Sequence, residues 1–253
     1  MKILFVADLH GEDLWKKAIE KEYDLIIFLG DYFDSFHVPI KKQIENFKNL
    51  IDFGNSNKDK TVFLLGNHDI HYLLYDTPYF YTMRGSGFNE KLVVPINSLY
   101  NYNKYLFKVA WQKDNILVTH AGVLQKYYDL FLKEFHKNFS NFNIALFLNT
   151  LWEKKSGLLM KIGKSRGGYD NQGGIFWADM QELLEDPLQG YIQIVGHTPI
   201  KDIIDTNTNQ NVFIYKENWN EKTRLIFIDC LIYRDDKEDN PLFFEMVIED
   251  NVS

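Results

Sequence analysis

Residues 3–11, Ile3-Leu4-Phe5-Val6-Ala7-Asp8-Leu9-His10-Gly11, decide how this chain folds. An uninterrupted apolar run leads straight into an aspartate, a histidine and a glycine. Such a run reads as a strand buried on both faces, and strands of that kind belong to parallel sheets covered by helices. The pattern recurs. Leu25 to Leu29 ends at Gly30-Asp31-Tyr32-Phe33-Asp34, and Val62 to Leu65 ends at Gly66-Asn67-His68-Asp69. Between these runs, Glu12 to Lys21 carries Leu14, Ala18 and Ile19 at helical spacing. Ile40 to Phe53 does the same with Ile44, Phe47, Leu50 and Ile51. Strand alternating with helix predicts an α/β fold. Ligands of open α/β sheets gather outside the carboxyl ends of strands, so Asp8, Asp31 and Asn67 are expected along one edge.

Further along, residues 72–105 are rich in aromatics and broken up by Gly85, Gly87 and Pro95, which predicts a loop-bearing cap. Tyr105 to Trp111 and Asn115 to Thr119 predict a hairpin around Lys113-Asp114, followed at once by His120-Ala121-Gly122. Residues 123–160 read as largely helical. A glycine-rich run from Gly163 to Gly174 holds Arg166, and a short helix follows around Met180 to Leu184. The strand Tyr191 to Val195 ends at Gly196-His197-Thr198-Pro199, and Asn211 to Tyr215, Arg224 to Ile228 and Leu242 to Ile248 read as strands. The polar runs stretch from residue 8 to residue 199. If they build one site, residues 1–253 form a single domain, with the cap inserted at about 72–105 and the helical segment at about 123–160.

A net charge of −7 argues against an extended nucleic-acid or anionic-membrane surface. The single cysteine, Cys230, permits no disulfide within the chain and fits a reducing compartment. The N-terminus enters a strand directly, with no basic leader and no apolar span, so a cytoplasmic location is expected.

The polar runs share a chemistry. Asp, Asn and His together suit a pair of divalent cations roughly 3.5–4 Å apart, an arrangement that cleaves phosphate esters. Asp8 and His10, two apart in an extended segment, would point the same way and grip one cation. Asp31, which follows Gly30, is assigned as the bridge between the two cations. Asn67, His120 and His197 would complete the ligand set of the second cation.

In order, Asp8-Leu9-His10-Gly11, Gly30 to Asp34, Gly66 to Asp69, His120 to Gly122 and Gly196 to Pro199 resemble the motifs of the calcineurin-like metallophosphoesterase superfamily. The likeness covers about residues 1–230. It is nearest to the PPP-type serine/threonine phosphatases and the symmetrical dinucleoside polyphosphate hydrolases. The resemblance implies a four-layer α/β/β/α sandwich of two mixed sheets flanked by helices. It implies Asp8, His10 and Asp31 on a first metal, and Asp31, Asn67, His120 and His197 on a second. Mn²⁺ is expected first, with Fe, Zn²⁺, Ni or Co also suited. Where other branches carry a second histidine this chain has Pro199, which offers no ligand atom.

The activity implied is hydrolysis of phosphate monoesters by attack of a hydroxide held between the metals. His68 would protonate the leaving oxygen, oriented by Asp34. The alternative is a dinucleoside polyphosphate hydrolase, or a phosphodiesterase of nucleotides or nucleic-acid ends. Either substrate, phosphoprotein or nucleotide, is phosphorylated. Protein phosphatases carry arginine where this chain has Ser35, so Arg166 is the first candidate for the phosphate and Arg84 the second. Asp69 is expected to tie backbone amides. His37 and His71 are read as rim or packing residues, and Trp177, in Trp177-Ala178-Asp179, as a wall of the site. Tyr72, Tyr75, Tyr79, Phe80 and Tyr81 could stack a nucleobase or form the core of the cap.

Overall fold

The computed structural model describes residues 1–135, 143–208, 219–230 and 243–249. The strands are β1 (Lys2–Val6), β2 (Leu25–Phe28), β3 (Thr61–Leu64), β4 (Phe107–Lys108), β5 (Ala110–Lys113), β6 (Ile116–Thr119), β7 (Ile192–Val195), β8 (Ile204–Asp205), β9 (Arg224–Phe227) and β10 (Phe244–Val247). They form two five-stranded sheets, in the orders β10-β1-β2-β3-β4 and β5-β6-β7-β9-β8. Both sheets are mixed. β1 through β4 are parallel and β10 runs against β1. β6, β7 and β9 are parallel, flanked by antiparallel β5 and β8.

Strand periodicity separates the layers. Ile3 and Phe5 of β1, Ile27 of β2, Val62 and Leu64 of β3, Ile116 and Val118 of β6, Ile194 of β7 and Ile226 of β9 pack into one core between the sheets. Their neighbours in sequence, among them Leu4, Val6, Ile26, Phe28, Phe63, Leu117 and Phe227, join a second core that includes helix residues. Successive side chains on a strand point to opposite faces, so a run that is apolar throughout is covered on both sides. Each such buried side chain contributes roughly 1.5–3 kcal/mol. The outcome is two sheets face to face with helices outside them.

The helices are α1 (Trp15–Ala18), α2 (Ile40–Ser56), α3 (Asn67–Leu73), α4 (Phe80–Met83), α5 (Glu90–Asn103), α6 (Gln125–Phe135), α7 (Ile144–Glu153) and α8 (Met180–Glu185). Three expectations need correction. The helix expected over Glu12 to Lys21 is regular only in α1. The cap at 72–105 is more helical than its composition suggests, and Pro95 lies inside α5 rather than ending it. Leu92 and Ile96 are buried where α5 packs on α2 and α3, and that packing outweighs the missing amide. The strand expected over Tyr105 to Trp111 is two strands. β4 finishes the first sheet, Val109 crosses over, and β5 opens the second in a hairpin with β6 that turns at Asp114-Asn115. The strand expected over Asn211 to Tyr215 lies outside the described residues, and Cys230 is fully buried. No helix among the described residues is long and apolar enough to cross a membrane.

Candidate metal centre

Each polar run leaves the carboxyl end of a parallel strand. Asp8, Asp31 and Asn67 follow β1, β2 and β3 of the first sheet, and His120 and His197 follow β6 and β7 of the second. The two edges meet. His197 N donates to Asp8 Oδ2 at 2.9 Å, and His120 Nε2 lies 2.8 Å from Asn67 Oδ1.

The backbone there is strained. Among the described residues, seven that are not glycine have positive φ, and five of them sit here: Asp8, His10, Asp31, Asp34 and His197. A left-handed conformation costs such a residue roughly 1–2 kcal/mol. Clustering of that kind marks a site held in place by its surroundings. It also corrects how Asp8 and His10 come together. They are not extended. The 8–11 turn is pinned to the next run by His10 N to Asp31 O, 2.8 Å, and Gly11 N to Tyr32 O, 2.9 Å. Two glycines permit the close approach. A Cβ on Gly30 would lie 2.3 Å from Gly66 N, and one on Gly66 would lie 2.2 Å from Asp31 Oδ1. Asp69 accepts from the amides of Asp31, Tyr32 and Gly66, each at 2.8 Å, and ties the second run to the third.

Two groups of three metal-binding side chains share Asp31: Asp8, His10 and Asp31, and Asp31, His120 and His197. Asp31 Oδ2 lies 3.8 Å from His10 Nε2 and 3.4 Å from His120 Nε2. His10 Nδ1 donates to Phe33 O at 2.7 Å and His120 Nδ1 to Leu29 O at 2.9 Å. In its neutral form an imidazole has one N–H, and a ring that donates from Nδ1 then presents the Nε2 lone pair to Asp31. Asn67 Oδ1, another acceptor, lies 2.9 Å from His197 Nδ1, which is 3.2 Å from His120 Nε2. Lone pairs converging without hydrogens between them repel unless a cation stands among them.

Charge balance says the same. Burial holds His120 below its ordinary pKa. Burial, with the Arg166 guanidinium nearby, holds His197 well below. Both rings are therefore neutral ligands. Burial works against ionisation of Asp31, yet the cationic His68 and its amide, which donates to Asp31 Oδ1 at 2.8 Å, hold its carboxyl low. Burial and the carboxylates of Asp229 and Asp31 push Asp8 well above the usual range, and Asp8 Oδ1 is buried with no hydrogen-bond partner. These donors fit a pair of divalent cations.

Asp34 and His68 lie beside this set, with His68 Nδ1 2.8 Å from Asp34 Oδ2. Burial disfavours the imidazolium, but Asp31 and Asp34 push His68 up to about 9. Burial is likewise outweighed at Asp34, where His68 and His71 bring the carboxyl down to about 2. At neutral pH this pair is ionic.

A cavity of about 1290 Å³ opens over the site and reaches His10, Asp31, Asn67, His68 and His197. Arg166 lines it while paired to Asp179, 2.7 Å away, and donating to Thr198 Oγ1. Arg84 lines it too, its guanidinium 5.6 Å from the centre of the Phe88 ring. Trp177 stands edge-on to the His197 ring at 5.6 Å and forms a wall. Ser35, where an arginine was looked for, accepts from the amides of His37 and Val38 at the entry to α2. Of the cap aromatics, Tyr72 and Phe80 are core, and Tyr81 is open at 87 % exposure. His37 sits at the rim. His71 does not; it is fully buried against Asp34. Asp229, unmarked in the sequence analysis, lies beside Asp8 at the end of β9 and lines the cavity. The signal was there, since Leu225 to Asp229 is one more apolar run ending in an aspartate.

No curated protein matches this chain significantly. Among solved structures, a cold-active protein tyrosine phosphatase aligns with TM-score 0.53 at 18 % identity, over 92 % of this chain and 70 % of its own. The cold-active protein-tyrosine phosphatase of a psychrophilic Shewanella species aligns with TM-score 0.51 at 17 % identity, over 92 % and 72 %. At such identities these likenesses speak for the fold. The sequence profile of the calcineurin-like phosphoesterases matches residues 1–217, which takes in the five polar runs from Asp8 to Pro199. A carboxylate shared between two histidine-bearing groups is the centre such enzymes need, and the chain belongs to the calcineurin-like phosphoesterase family, metal-dependent hydrolases of phosphate esters.

Proposed function

We propose that this chain is a phosphomonoesterase of the PPP-type branch, acting on phosphorylated protein side chains. The observation that carries the reading is the position of Asp31 Oδ2 between two imidazole lone pairs, with the ionic His68–Asp34 pair beside it. Asp8, His10 and Asp31 would hold one cation, and Asp31, Asn67, His120 and His197 the other. Mn²⁺ suits the mixed oxygen and nitrogen donors. When bound, the two cations neutralise phosphoryl charge and acidify water. The protein does the rest. Arg166, steadied by Asp179, offers its guanidinium to a phosphoryl oxygen, and Arg84 in the same cavity is a second cation for it. His68, cationic and adjacent to Asn67, gives its proton to the leaving oxygen, while Asp34 keeps the ring turned for that transfer.

One observation favours a second substrate class. Three of the most exposed aromatics, Phe36, Tyr81 and Tyr169, line the same cavity. Flat exposed rings suit a nucleobase, which supports a dinucleoside polyphosphate as the alternative. The deciding experiment supplies Mn²⁺ and measures phosphate released from a phosphopeptide and from an aryl phosphate. Chromatography of products from a dinucleoside tetraphosphate runs in parallel. Turnover of the peptide supports the first reading. Cleavage of the dinucleotide alone replaces it with the second, and inert substrates throughout would end both.

A further inference from the structure

Asp34, His68 and His71 form a third group whose ligand atoms lie within 4.8 Å of one another. By residue type it could take another cation. Its hydrogens argue otherwise. His71 Nδ1 accepts from Gly85 N at 3.2 Å, which leaves the ring proton on Nε2; that nitrogen lies 2.9 Å from Asp34 Oδ2, a close polar contact not aligned as a hydrogen bond. His68 Nδ1 approaches the same oxygen from the other side at 2.8 Å. The Tyr72 hydroxyl donates to Asp34 Oδ1 and itself accepts from Asn89 N at 3.1 Å. Every contact pairs a donor with an acceptor, so the group has no place for a cation.

The arrangement has a second feature. His68, His71 and Tyr72 all lie on α3, within little more than one helical turn. The loop that carries Arg84 is fastened to the same residues through Gly85 and Asn89. It also presses on Asp34 itself, where a Cβ on Gly87 would lie 2.9 Å from Asp34 Cβ. Asp34, His71 and Tyr72 are all buried.

We infer that His71 and Tyr72 are positioning residues for the Asp34–His68 pair, and that they clasp the Arg84 loop to it. With both carboxylate oxygens occupied, Asp34 cannot rotate. His68 Nδ1 is then fixed toward Asp34 and its Nε2 is the nitrogen left for the cavity. This inference rests on the proposed role of His68 as proton donor.

The test compares leaving groups in Mn²⁺-loaded enzyme. Hydrolysis of an alkyl phosphate needs a proton on the departing oxygen, and hydrolysis of a nitrophenyl phosphate needs it far less. His71→Phe keeps a ring in the pocket and removes the donor. It should lower kcat on the alkyl ester by about 10-fold or more, with KM little changed and a much smaller loss on the nitrophenyl ester. Atomic emission should still find two Mn²⁺ per chain. His71→Gln, whose amide can donate, should recover most of the loss, and Tyr72→Phe should give the same pattern more weakly. Equal losses on both esters, lost metal, or no recovery with glutamine would overturn the inference. His68→Ala in the same assay separates the two levels. If it discriminates between the esters and His71→Phe does not, only the positioning role fails. If His68→Ala shows no discrimination, the proton-donor reading fails and the inference with it.

Discussion

Two clusters a few ångströms apart use the same kinds of side chain for opposite ends. Around Asp31, the Nε2 lone pairs of His10 and His120 face the carboxylate, and that of His120 also faces Asn67 Oδ1. Around Asp34, each oxygen meets a donor from His68, His71 or Tyr72. Residue type alone would mark both as metal sites. The polarity of the contacts separates them, and it is set outside the clusters. The carbonyls of Leu29 and Phe33 take the Nδ1 protons of His120 and His10, turning lone pairs inward. The amide of Gly85 fills the lone pair of His71 and turns a proton inward. A backbone group behind each ring decides whether it ligates or donates.

The sharpest way to break this contrast is Asp31→Asn. The first cluster would lose the shared charge, and phosphate release should fall by about 10³-fold or more, with Mn²⁺ content falling alongside. A variant that kept both its metal and its rate would show that the lone pairs converge for some other reason. His68→Ala acts on the second cluster alone. It should cost about 10²–10⁴ in rate on a poor leaving group while leaving metal content at the level of the unaltered protein, as read by atomic emission.

Intermediate effects sharpen the comparison. Chelated protein should unfold at a lower temperature than protein in Mn²⁺, because the repelling acceptors are buried without a partner. At about 100 times its Kd, the ion stabilises by roughly 2.7 kcal/mol, or about 5–10 °C in a calorimeter. His71→Phe should keep that rise, since it lies in the cluster without a cation. Arg166→Ala should raise KM for a phosphate ester by roughly 10-fold through a lost charged hydrogen bond. Its Asp179 partner would be left unpaired, so the comparison with Arg166→Lys isolates the bidentate contact. The smallest effect, a few-fold in KM, is expected for Arg84→Ala, whose guanidinium rests on Phe88.

Much of this was legible in the sequence because each ligand is announced locally. An apolar run ending in Gly-Asp or Gly-Asn-His is a strand followed by a turn, and neighbours in sequence are enough to see it. The same local signal covered Asp229, and it passed unmarked at the end of β9. His71 was harder. It sits three residues beyond His68 on α3, so the two share a helix face, yet nothing nearby says that Asp34, far back along the chain, lies against that face. Ser35 reads in the sequence as a missing arginine, and only the turn into α2 explains its hydroxyl.

By itself, the sequence determined the two-sided strands, the order in which they deliver Asp8, Asp31, Asn67, His120 and His197, and hence the family. Tertiary structure alone decided the crossover at Val109, the left-handed turns that aim Asp8 and His10, and the proton placement that turns acceptors toward Asp31 and donors toward Asp34. The physical reason is range. Periodicity and turn chemistry act between residues a few positions apart, whereas the direction of a hydrogen bond at Asp31 or Asp34 depends on groups brought together only when both sheets have packed.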